Sequence, residues 1–215
     1  MLNIKTFVCN MIRENCYVVS DDTREAVIID CGAFYDEDKE SIRQYIKTNK
    51  LRPVHLLATH GHVDHNFGNK FAQDTWGLRV ELSGADEPLI KSLPEQAMAI
   101  CGVRMGNDDV APVGRYLRAG EVISFGNHSL EVLETPGHTP GGVFFYCEAE
   151  RAGFSGDTLF YHNVGRCDLP GSSMFMLIQS LRMLSQLPDD TRVYPGHGKN
   201  TTIGEEVGHN PYMDR

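Results

Sequence analysis

Thr59-His60-Gly61-His62-Val63-Asp64-His65 follows directly on the apolar run Val54-His55-Leu56-Leu57-Ala58. That run has the length and side chains of a strand, so the segment after it begins where a strand gives way to a turn. Three imidazoles and a carboxylate fall within the six residues from His60 to His65. These are the donor types that suit Zn2+ or iron. Gly61 is expected to supply an unusual backbone angle, so that a tight turn can aim several side chains at one point. Donors this close in sequence do not close easily on a single ion, so the spacing points to two neighbouring metals. A solvated polar turn is the alternative, and the concentration of ligand types argues against it.

Three further strand ends carry one donor each, beside glycine. They are Thr135-Pro136-Gly137-His138-Thr139-Pro140-Gly141-Gly142 after Ser129–Leu133, Ser155-Gly156-Asp157-Thr158-Leu159-Phe160 after Gly153-Phe154, and Tyr194-Pro195-Gly196-His197-Gly198 after Thr191–Val193. Loops at the ends of rigid strands are where catalytic groups concentrate. Taken alone, His138 or His197 reads as a structural or surface histidine and Asp157 as a turn residue. Together with the first cluster they read as ligands.

The His-x-His-x-Asp-His signature at His60, His62, Asp64 and His65, with His138, Asp157 and His197 following in order, resembles the metallo-β-lactamase superfamily. The resemblance runs from about Ile4 to the C-terminus. It implies an α/β fold, an αββα sandwich of two mostly antiparallel sheets flanked by helices, with the metal site along one edge. It also implies that His60, His62 and His138 hold one metal, that Asp64, His65 and His197 hold the second, and that Asp157 bridges them. One major class of true β-lactamases has a cysteine where Asp157 stands, so an antibiotic-degrading activity is not expected. The expected cofactors are two divalent ions, zinc first, with iron or manganese as alternatives. Two cations about 3.5–4 Å apart clamp a bridging water and lower its pKa towards neutrality. The resulting hydroxide attacks an electrophilic carbonyl or phosphorus, with Asp64 able both to ligate and to orient it, and no serine or cysteine nucleophile is required.

Composition agrees with a globular enzyme. The 215 residues are 41% hydrophobic and 23% charged, and suffice for a single domain, expected to span 1–215. A formal charge of −9, from 20 basic and 29 acidic residues, with no basic run, disfavours nucleic acid as a partner. The N-terminus lacks the pattern of a secretion signal, and no apolar stretch has the length of a membrane span. Cys9, Cys16, Cys31, Cys101, Cys147 and Cys167 show no CxxC pairing and read as reduced thiols of a cytoplasmic protein. A homo-oligomer is compatible with the sequence.

Strands are expected at Ile4–Val8, Cys16–Val19 and Ala26–Ile29, and an amphipathic helix over Glu37–Lys50 with Ile42, Tyr45 and Ile46 on one face. A helix is expected from Asp64 to Trp76. Another is expected over Ser172–Leu187, with Met174, Leu177, Ile178, Leu181 and Leu184 as its apolar face and Pro188 as its stop. Gly84–Gly120, with Pro88, Pro94 and Pro112, reads as short helices and loops packed over one side of the site.

Gly156–Phe160, Gly165-Arg166-Cys167-Asp168-Leu169-Pro170-Gly171 and the tail from Gly196 to Glu206 resemble glyoxalase II and its shorter relatives. That implies a thioesterase acting on a small-molecule hydroxyacyl thioester such as S-D-lactoylglutathione. The chain departs from full-length glyoxalase II in stopping before the C-terminal helical portion that helps hold glutathione. It also places Asp168 where that family has a tyrosine. Arg166 is the candidate contact for a substrate carboxylate, and an internal Arg166–Asp168 ion pair is the competing reading. The Gly-Arg-x-Asp loop is shared with persulfide dioxygenases, which would use one Fe(II) on His60, His138 and Asp157. A non-catalytic metal-binding protein is a third reading, and a complete ligand set weighs against it.

Overall fold

Glu14–Ser20 is buried along its whole length, and its side chains divide between two cores. Tyr17 and Val19 pack with Phe145, Phe154 and Tyr194, whereas Cys16 and Val18 pack with Ile42, Ile46 and Ala72. A strand that is apolar on both faces must be covered on both, which makes it an inner layer. The computed structural model, which describes residues 1–213, places it in the first of two six-stranded sheets.

That sheet runs β1 (Asn3–Cys9), β2 (Glu14–Ser20), β3 (Glu25–Ile29), β4 (Arg52–Leu57), β5 (Val80–Ser83) and β6 (Arg115–Leu117), in that spatial order. The second sheet receives β7 (Val122–Phe125), β8 (His128–Glu134), β9 (Val143–Cys147) and β10 (Ala152–Gly156). After a hairpin of β11 (Leu159–Phe160) and β12 (Asn163–Val164), the chain rejoins it with β13 (Arg192–Pro195) and β14 (Thr201–Thr202). Its order is β14-β13-β10-β9-β8-β7. Outside the first sheet lie α1 (Asp36–Thr48) and α2 (Asn69–Trp76). The short helices α3 (Glu87–Lys91) and α4 (Leu93–Gln96) follow α2 in the chain. Outside the second sheet, α5 (Met174–Leu184) and α6 (Ile203–His209) cover Phe144, Tyr146 and Val193. The result is the αββα layering.

Strand direction is more mixed than the sequence reading implied. In the first sheet β1, β2 and β3 are antiparallel, but β3, β4, β5 and β6 are mutually parallel. The second sheet is antiparallel except where β10 pairs with β13. Each parallel step is made by a crossover, with α1 between β3 and β4, α2 between β4 and β5, α3 and α4 between β5 and β6, and α5 between β10 and β13.

α1 lies within two residues of its expected bounds, and two other helices depart further from theirs. Between Asp64 and Trp76 the chain first makes a 3-10 turn, Val63–His65, and α2 begins only at Asn69. The buried Asn66 amide explains the delay, because it donates to the carbonyls of His60 (3.0 Å) and His62 (2.7 Å) and so holds the turn instead of continuing a helix. α5 is capped by Ser173, whose hydroxyl accepts from the Met176 N–H, and ends at Leu184. Gln186 and Leu187 bond back to Met183 and Leu184, a tightened last turn ahead of Pro188. Leu177, Leu181 and Leu184 are fully buried, but Met174 is 43% exposed at the helix start and does not belong to the apolar face. Residues 84–120 form α3, α4, a π-helical turn at Ala97–Cys101, a 3-10 turn at Asn107–Asp109 and β6. Among the described residues, no helix is long and apolar enough to cross a membrane.

Candidate metal centre

β8 and β10 are both antiparallel to β9, and β13 is parallel to β10, so these three strands end at one edge of the second sheet. The turn after β4 meets them there, since the Val143 N–H donates to the Thr59 carbonyl at 2.9 Å. β2 pins the last strand from the opposite sheet. Tyr17 Oη donates to the Pro195 carbonyl at 2.6 Å, and Asn15 Nδ2 to the carbonyls of Pro195 and Gly198 at 3.0 Å each.

This edge brings the seven histidines and aspartates into one cluster. The donor atoms of His60, His62 and His138 lie within 4.8 Å of one another, and so do those of Asp64, His65 and His197. His62 Nδ1 is 2.9 Å from His138 Nε2, and His197 Nε2 is 3.1 Å from Asp64 Oδ2. Asp157 stands between the two groups, with Oδ1 3.3 Å from His65 Nε2 and Oδ2 3.6 Å from His138 Nε2 and 3.7 Å from His197 Nε2.

The ring nitrogens that turn away from the cluster are engaged elsewhere. Thr59 Oγ1 donates to Asp30 Oδ2 (2.7 Å), so towards His60 Nδ1 (3.0 Å) it is the acceptor. His65 Nδ1 donates to Asp30 Oδ2 at 3.1 Å, and His138 Nδ1 to the Arg166 carbonyl at 2.9 Å. His60 and His138 therefore carry their proton on Nδ1 and turn a bare Nε2 lone pair inward. Burial opposes a charge on His65, but Asp64, Asp157 and Asp30 together hold it well above the ordinary histidine value, so a metal arriving there would displace a proton from Nε2. Burial, then the charges of His65, His62 and His138, push His60 well below the ordinary histidine value. Burial and His138 bring His62 down to about 4. Burial opposes ionisation of Asp64 and Asp157, but His65 and His197 together outweigh it and hold both below the usual carboxylate range.

Neutral imidazoles and ionised carboxylates are the forms that bind a metal. His60 Nε2, His65 Nε2 and Asp157 Oδ1 are buried without a hydrogen-bond partner among the described residues. Polar atoms so placed cost about 1–3 kcal/mol each unless something else satisfies them. Divalent cations fit that requirement, and the cluster of histidine and aspartate donors implies them.

Two glycines admit this crowding. Gly61 does not have the left-handed angle expected from sequence. It is required because a Cβ would lie 2.7 Å from Leu89 Cβ and 3.0 Å from the Asp86 carbonyl. Gly156 does need its conformation, with φ of 48° and Thr59 Oγ1 at 2.1 Å from where a Cβ would stand. Arg166 makes a bidentate pair with Asp168, Nε to Oδ1 at 2.6 Å and Nη2 to Oδ2 at 2.8 Å. Both side chains remain mostly exposed, and the Arg166 backbone carbonyl reaches His138.

The sequence reading missed the residues behind the donors. Asp30 receives Thr59 and His65. Asp86 accepts from the Gly61 N–H (2.8 Å), the Thr139 hydroxyl (2.7 Å) and the Gly141 N–H (2.6 Å), tying the His60–His65 turn to the His138 turn. Glu14 is fully buried near His65 and Asp30, and burial raises its carboxyl well above the usual range. None of the three lies in a ligand-like motif. Asp30, directly after the apolar strand Ala26–Ile29, carried the only usable signal.

The sequence profile of the metallo-beta-lactamase superfamily matches residues 12–197. Hydroxyacylglutathione hydrolase GloC of Haemophilus influenzae is 34% identical over 220 residues, covering 99% of each protein. Among solved structures, the BLEG-1 B3 metallo-beta-lactamase superposes with a TM-score of 0.89 at 33% identity over 99% of both chains. TTHA1623 in a di-iron-bound form gives 0.86 at 36% identity, over 97% of this chain and all of that one (100%). ETHE1 from Myxococcus xanthus gives 0.77 at 27% identity, over 97% of this chain and 83% of that one.

Proposed function

Because the chain belongs to the metallo-β-lactamase superfamily and is a metal-dependent hydrolase by that kinship, we propose that it is a binuclear thioesterase of glyoxalase II type. Its substrate on this reading is a small hydroxyacyl thioester such as S-D-lactoylglutathione, and residues 1–215 act as one catalytic domain. The observation that carries the reading is the full-length kinship with the hydrolase of Haemophilus influenzae, which shares 34% identity over 99% of its own length.

His60, His62 and His138 would hold one cation, Asp64, His65 and His197 the other, with Asp157 between them. A pair of divalent ions supplies a water of lowered pKa and an electrophile for the oxygen that gains charge. Asp64 would orient that water and take up its proton. His138 and His65 keep their rings aimed inward through Nδ1–H, and Arg166 meets an anionic end of the substrate. The groove beside His197, about 400 Å3 in volume and lined by Ile12, Arg13, Asn15 and Lys199, offers two more cations for an acidic thiol carrier.

Metal-replete protein is expected to hydrolyse S-D-lactoylglutathione, with loss of the thioester absorbance. Chelation should abolish turnover, and Asp64→Asn should lower it by about 100-fold, in the range for loss of a general base. Absence of turnover with both sites filled would overturn the substrate assignment. A β-lactam belongs in the same panel, because BLEG-1 bears the lactamase name. A second reading, an Fe(II) persulfide dioxygenase, is favoured by the Gly165-Arg166-Cys167-Asp168 loop. Oxygen uptake with glutathione persulfide by iron-loaded protein would select it.

A further inference from the structure

His162, Glu205 and His209 form a second group of metal-ligand side chains, with donor atoms all within 4.8 Å of one another. It shares no residue with the centre described above. Glu205 and His209 stand four residues apart on α6, a spacing that places them on one face of the helix. His162 comes from the turn of the β11–β12 hairpin. Its Nε2 is 2.9 Å from Glu205 Oε1, and His209 Nδ1 lies 3.4 Å from the same oxygen and 3.0 Å from the Glu205 carbonyl.

The hairpin holds its histidine in place. His162 has φ of 54°, an uncommon angle for a residue with a Cβ, and its N–H donates to Glu206 Oε2 at 2.8 Å. The ring stacks on Tyr161 at 3.9 Å between centroids and faces His209 at 5.4 Å with planes 30° apart. Lys199 Nζ sits over the Tyr161 ring at 3.4 Å. A layered stack of this kind fixes where the Nε2 lone pair points, so little ordering entropy remains to be lost on binding.

We propose that His162, Glu205 and His209 bind one divalent cation of the Zn2+ type, joining α6 to the hairpin. Two imidazoles and a carboxylate are a donor set that zinc takes. The imidazole protons now shared with Glu205 occupy the lone pairs that a cation would use, so ion and protons exchange at one place. The side chains of His162, Glu205 and His209 are 34%, 39% and 61% exposed, which lets an ion enter from solvent. The same hairpin carries Phe160, whose ring meets His197 edge-on at 6.1 Å, so an ion here would stiffen one wall of the centre. The proposal does not depend on the thioesterase reading.

The test is zinc binding by equilibrium dialysis with metal content counted by mass spectrometry, on protein whose main centre is already filled. Wild type should take up one more zinc than His162→Ala or His209→Ala, at micromolar free zinc. Hydrogen exchange of residues 161–164 should slow with added zinc in wild type alone. His209→Cys, which restores a zinc donor, should recover the extra ion, while basal activity stays unchanged in all three variants. Equal zinc content and equal exchange in wild type and both alanine variants would overturn the proposal and leave the trio as a hydrogen-bonded cluster.

Discussion

Asp86 is fully buried, and its carboxylate accepts from two backbone N–H groups and a hydroxyl that belong to two different turns. Removing the carboxylate leaves those donors unpaired, at a cost of about 1–3 kcal/mol for each buried donor. The same change frees the His60–His65 turn from the His138 turn. Asp86→Ala is therefore expected to weaken metal binding by about 10–100-fold, the range for loss of a group that orients ligands. Asp86→Asn, which keeps the shape and one acceptor, should fall between it and wild type. Competition with a chromophoric chelator measures this, and unchanged affinity in both variants would remove Asp86 from the support of the centre. That the seven histidines and aspartates belong together was legible in the sequence, because they crowd into short glycine-flanked motifs at strand ends. Asp86 and Glu14 were not, because their partners come from distant turns and only folding brings these together.

Among the elements, the loop from Gly165 to Asp168 has two separable roles. Its backbone fixes His138 through the Arg166 carbonyl, while its side chains pair with each other in solvent. An exposed ion pair is weakly held, so a substrate carboxylate can displace Asp168 from the guanidinium. Arg166→Ala keeps the carbonyl and removes only the side chain. On the proposed function, KM for an anionic thioester should rise roughly tenfold, as for loss of one charge-assisted hydrogen bond, with kcat nearly constant. Steady-state kinetics with an anionic and a neutral thioester would separate the roles, since equal effects on both would mean that the pair only shapes the loop. Element positions were readable for β1, β2 and β3, as short β-branched and aromatic runs between turn residues, and for α1, where a 3.6 period is clean. The delayed start of α2 was not, because Asn66 spends its amide on the His60 and His62 carbonyls, a tertiary contact without local signature.

At the scale of the whole molecule, the two sheets are fastened at both ends, and only one end was visible in the sequence. The metal-bearing edge was announced by its histidines. The opposite end depends on Asp21, just beyond β2, whose Oδ1 accepts from the Thr23 N–H (2.9 Å) and whose Oδ2 accepts from the Asn127 N–H (2.7 Å) and His128 Nδ1 (2.9 Å). Asn127 lies in the β7–β8 turn and His128 opens β8, so this carboxylate links one sheet to the other, and His128 passes the link on to Glu150 at 3.0 Å. Burial works against ionisation of Asp21, but the bonds from Thr23, His128 and Asn127 together hold its carboxyl well below the usual range. A carboxyl whose folded value lies below its unfolded value of about 4 gives stability that is present above that pH and lost as pH falls. Asp21→Asn is thus expected to cost about 1–3 kcal/mol at pH 7, with roughly 2–4 °C of Tm for each kcal/mol in a chain of this size. The gap between variant and wild type should narrow as the pH falls below about 4. Thermal melts of chelator-treated protein across that range avoid confusion with acid release of metal. A gap that stayed constant with pH would mean that the shape of the Asp21 side chain, and not its charge, closes this end of the sandwich.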